Sequence, residues 1–266
     1  ASNVASSDII PTILRTTLML AGYLFLTNHI NKLYTGNNLL SLQRNYYAAV
    51  SGASAVLGWL LVYLNFFVTT WTPLQGNVAL DFLLYTPLFA LLAPAVLSTR
   101  ALFGLFGGLL KFLSQGIAMP VLNAEKLTFI LVAISALGLL GGAAFPQTLN
   151  ELLWLTPLLL LTALQLLWNE STIFSGLKSG DWGRVVCVAL SGIIVGNVAV
   201  AAYQSNGGSV TINTTHAVFI QIGYAFFGLL CVQLADVVAE NWRGKKRTEL
   251  FRQKKKFPIP VVVKRD

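Results

Sequence analysis

Seven stretches of this chain, at about 9–33, 46–69, 79–99, 127–145, 151–168, 184–203 and 215–239, are long, apolar and nearly free of charge. A helix needs about 20 apolar residues to cross roughly 30 Å of hydrocarbon. The runs do not alternate with period two, so membrane helices are expected and not barrel strands. Only 11% of the residues are charged, against about 25% in a soluble domain. So few charges cannot cover a water-facing surface, and lipid must be the solvent for most of it. The expected fold is all-α, a polytopic membrane bundle of about seven transmembrane helices.

The cations set an orientation. Arg15 apart, every Lys and Arg falls in alternate connections or in the tail: Lys32 and Arg44; Arg100, Lys111 and Lys126; Lys178 and Arg184; then ten in 243–266. The connections 70–78, 146–150 and 204–214 have none. Positive residues stay on the cytoplasmic side, so the N-terminus is expected outside and the C-terminus inside. One missed or invented span would break the alternation. The expected division is a bundle over 1–242 and a basic tail over 243–266, in a bacterial inner membrane or an organellar membrane.

Three local features refine this picture. A glycine-rich stretch with Gly104, Gly107 and Gly108 precedes Lys111. It is too short to span alone, so about 101–122 is expected to be interfacial or re-entrant. Trp71 and Trp154 fall at outer helix ends and Trp168, Trp182 and Trp242 at inner ends, as an interfacial belt requires. Pro87 and Pro94 share one face of the third span and should kink it.

Candidate residues are few. Gly192-x-x-x-Gly196 with Ala199 forms a small-residue stripe suited to close helix packing, and Gly52 and Gly58 flank a second. Gly52-Ala53-Ser54 is followed by Ala55, so it lacks the second glycine of the Gly-x-Ser-Gly stretch of intramembrane serine proteases. The one histidine downstream, His216, is expected five helices away, outside the reach a base needs. His29 and His216 are expected at opposite membrane faces, which excludes a shared metal or haem iron. Asn65, Asn197 and Gln221 are the intramembrane amides, either polar glue or the lining of a solute path. Arg15 is expected to snorkel to the interface or to pair with Asp81. Asp236 and Glu240 are expected to form an ion-paired helix end beside Arg243.

The tail carries Arg243, Lys245, Lys246 and Arg247, then Lys254, Lys255 and Lys256 before Phe257. Such clusters anchor to anionic lipid. The ending from Phe257 to Val263 is extended and β-prone, which suits contact with a partner protein. Walker A, histidine-cluster and paired mid-membrane carboxylate patterns are absent from the sequence. The expected function is a non-catalytic subunit, assembly factor or scaffold of a larger membrane complex. The expected partners are membrane lipids and proteins, with no nucleic acid. The alternatives are a carrier or channel for a small neutral or lipophilic solute, and a lipid-modifying enzyme using Lys111, Glu125, Asp181 and Arg184. No cofactor is indicated.

Overall fold

The computed structural model describes residues 6–36, 40, 43–71, 77–120, 123–210 and 217–243. Among these residues there are eight α-helices and no strand: α1 (Ser6–Thr35), α2 (Arg44–Val68), α3 (Val78–Phe103), α4 (Gly107–Leu113), α5 (Ala124–Ala144), α6 (Pro146–Leu167), α7 (Gly183–Ser205) and α8 (Ala217–Arg243). All but α4 are long and apolar enough to cross a membrane. The seven-helix reading holds, with shifted ends. α3 runs on through Ala101–Phe103, so these three residues belong to the span and not to the connection. α6 begins at Pro146, five residues earlier than expected. Proline suits the first helical turn, where its missing N–H would have no partner.

Contacts at the two ends agree with the alternation of the cations. At one end, Gly116 N–H donates to Gly180 O (3.0 Å) and Met119 N–H to Leu177 O (2.9 Å), joining the α3–α5 and α6–α7 connections. At the other, the rings of Trp71 and Trp154 stack with centroids 4.6 Å apart. There too the Thr12 hydroxyl donates to Asn206 O (2.8 Å), tying the start of α1 to the end of α7. The first is the basic end and the second the basic-poor end.

α3 is central, packing against α1, α2, α7 and α8. α5 stands at the periphery and packs chiefly on α6. Glycines make that hairpin tight: a Cβ on Gly138 would lie 2.9 Å from Leu152 O, and one on Gly142 3.2 Å from Leu149 O. Large apolar side chains such as Leu18, Phe25, Leu83, Phe129, Leu140 and Val218 point outward. That is the arrangement for a bundle solvated by lipid, where burial of apolar groups gives helices no advantage over facing the tails.

Candidate functional site

The densest buried polar group joins α1, α2 and α3 toward the basic end. Asn28 on α1 donates from Nδ2 to Ser98 Oγ (2.9 Å) and to Tyr47 Oη (3.3 Å). The Tyr47 and Ser98 hydroxyls are hydrogen-bonded to each other at 2.8 Å. One turn further, Asn31 Nδ2 donates to Ser98 O (3.1 Å), and Tyr23 and Thr99 pair at 2.7 Å. Asn28, Asn31, Tyr47, Ser98 and Thr99 are all buried. The sequence reading did not select Asn28 or Asn31. Their spacing of three on one helix face is the signal that would have found them.

A proline inside α3 accounts for a second bond. Ser54 Oγ donates to Phe89 O (2.5 Å) and accepts from Ala93 N–H (3.0 Å). Those two backbone groups are the partners of one rung of the α3 ladder, immediately before Pro94. A hydroxyl inserted there re-satisfies backbone that proline loosens. Ser54 is thereby engaged as a structural clamp. Trp59, the mid-span tryptophan, meets its need on the same helix pair by donating to Thr86 Oγ1 (3.0 Å).

The other intramembrane amides do not converge. Asn65 is buried and spends its amide on Trp71, donating to its O (3.0 Å) and accepting from its N–H (3.2 Å). Asn197 and Gln221 exchange two bonds, of 2.7 and 3.1 Å, on an exposed face between α7 and α8. On α6 and α8, Gln233 accepts from Ile173 N–H (3.1 Å) and donates to Thr162 Oγ1 (2.9 Å). Nearby, Gln165 is fully buried with neither amide atom bonded among the described residues, and nothing in the structure accounts for it.

Among the described residues a single ion pair forms, between Arg184 on α7 and Asp236 on α8. This corrects one expectation. Arg15 does not pair with Asp81: Arg15 is exposed, while Asp81 is buried in the first turn of α3. A helix N-terminus itself stabilises a carboxylate there. Asp236 pairs across to α7, because α7 and α8 approach closely. Asp181 accepts from Gly183 N–H (2.9 Å) where α7 begins. His29 is exposed, and His216 and residues 244–266 lie outside the described residues. That range includes Lys245, Lys246, Arg247, Lys254, Lys255, Lys256 and Phe257; of Arg243 only the backbone, at the end of α8, is described.

The small-residue stripe packs within the chain. A Cβ on Gly192 would sit 2.7 Å from Gly228 Cα, and Gly196 faces the Tyr224 ring. Gly58 makes room for the Phe89 side chain in the same way, whereas a Cβ on Gly52 would meet nothing within 4 Å.

Beside this stripe lies a cavity of about 530 Å³ between α2, α3, α6, α7 and α8, in the half of the bundle nearer the basic-poor end. That volume is within the range of small-molecule sites, about 300–1,000 Å³. Leu61, Leu158, Val200, Phe226 and Leu230 are typical of its walls; its polar groups are gathered at one rim, in Thr70, Trp71, Asn150, Glu151 and Trp154, except for Tyr224 further along α8. Trp154 Nε1 donates to Thr70 Oγ1 (3.0 Å), which holds the rim together. Among the described residues no three His, Cys, Asp or Glu converge as a metal site would require. No protein family, curated protein or solved structure matches the chain.

Proposed function

We propose that this chain is a non-catalytic integral membrane subunit or scaffold of a larger membrane complex, with its basic end in the cytoplasm or the equivalent compartment. The observation that carries this reading is how the intramembrane polar side chains are used. Asn28, Tyr47, Ser54, Asn65, Ser98 and Gln233 are bonded to neighbouring helices or to backbone. A solute path or a reaction centre needs polar groups turned to an opening; here they hold the helices in register. Two of the four groups that a lipid-modifying enzyme would use are engaged likewise, Asp181 with the Gly183 backbone N–H and Arg184 in an ion pair.

Extraction of native membranes in mild detergent tests the reading. A stoichiometric partner should co-purify with the full chain and be lost on truncation after Lys256. A free monomer that retains its cellular function would refute it. A binder of lipophilic molecules is the second reading, favoured by the apolar cavity.

A further inference from the structure

The cavity has a direction. Its deep end is walled by Leu61, Leu92, Leu158 and Leu230, and its shallow end by Trp71, Glu151 and Phe219. From Phe219 to Leu230, α8 advances about 16 Å at 1.5 Å per residue. That is half of a hydrocarbon core about 30 Å thick, which is one leaflet. Among the described lining residues the polar groups gather at the shallow rim, at the level of lipid headgroups, where tryptophan also settles; the one polar side chain between the two ends is Tyr224. The slot is therefore as deep as one acyl layer, apolar along that depth but for Tyr224, and polar where a headgroup begins.

The rim also has a sign. Among the described residues Glu151 is the one charged residue lining the cavity, and no Lys or Arg lines it. The connections 70–78, 146–150 and 204–214 hold no cation either. A headgroup carrying only negative charge would meet a carboxylate with no counter-charge. A headgroup with an ammonium would meet Glu151, and its phosphate would find the Asn150 side-chain amide, whose Oδ1 already accepts from Glu151 N–H (2.6 Å).

We propose that this cavity binds one phospholipid of the adjoining leaflet, its acyl chain in the slot and a primary-ammonium headgroup, as in phosphatidylethanolamine, at Glu151. This site stands apart from the subunit reading, since lipid occupancy and partner association are separate measurements. Gly223 lines the cavity, and a Cβ there would meet nothing within 4 Å. Side chains added at Gly223 thus extend into open space.

The test is native mass spectrometry of the full chain purified in mild detergent. It is followed by exchange against phosphatidylethanolamine and phosphatidylglycerol with identical acyl chains. One phospholipid per chain should survive purification, with phosphatidylethanolamine retained at least tenfold better. Gly223→Leu should lose the bound lipid while eluting and melting as a folded protein. Ala199→Phe, on a facing wall, repeats the test if that variant does not fold. Glu151→Gln should keep a bound lipid and bring the two headgroups to parity. Equal retention of both headgroups by the unaltered chain would overturn the proposal, and that measurement needs no variant. So would a purified chain with no lipid, one holding a different lipophile in its place, or a folded Gly223→Leu that binds as before.

Discussion

Replacing Gly192 by alanine tests the packing of α7 on α8 most directly. The added Cβ would lie 2.7 Å from Gly228 Cα and 2.8 Å from Gly228 N. These are backbone atoms, so no rotamer change relieves the overlap and the two helices must move apart. Overpacking of this kind costs about 1–3 kcal/mol. Alanine also recovers roughly 0.5–1 kcal/mol of helix propensity relative to glycine, which blurs a single measurement. Gly52→Ala supplies the control, because its Cβ meets nothing within 4 Å and only the propensity gain remains. The difference between the two variants isolates the packing cost, expected at about 1–3 kcal/mol. Reversible denaturation in mixed micelles reads both. Gly228→Ala, the other half of the same approach, should be similarly destabilising, and the double variant should cost less than the sum because one displacement of the helices serves both. If Gly192→Ala proves as stable as Gly52→Ala, the close approach of α7 and α8 is wrong.

Ser54→Ala leaves Phe89 O and Ala93 N–H without the bridging hydroxyl beside Pro94, and should lower stability by about 1 kcal/mol in the same assay. Arg184→Gln and Asp236→Asn each break an ion pair whose side chains are only about one-sixth exposed, at 15% and 16%. Each should cost about 2 kcal/mol, and the double variant should recover part of that in a double-mutant cycle. Asn197→Leu should cost under about 1 kcal/mol, and Gln221→Leu added to it should restore stability by removing the stranded amide. Reporter fusions after Lys32, Lys111 and Lys178 should read cytoplasmic, and those after Gly76, Gln147 and Gly207 external. A cytoplasmic signal at Gly76 or Gly207 would refute the orientation.

The sequence by itself determined the spans. Hydrocarbon admits almost no charge over about 20 residues, so the apolar runs announce themselves. α1, α2, α3, α5, α6, α7 and α8 lie where those runs fall, within a few residues. Tertiary structure alone decided which face of each span turns inward, because a lipid-facing leucine and a buried one look alike in an apolar run. Asn28 and Asn31 thus stood unremarked until α3 brought Ser98 against them. Asn197 and Gln221, legible as intramembrane amides, proved to be each other's partners. The small residues at 192 and 196 were readable as a packing stripe, but not that Gly228 and Tyr224 of the next helix fill it. The cavity left no trace in the sequence at all. Its walls come from helices far apart along the chain, and a void is set by how their side chains fail to meet, which no single segment encodes.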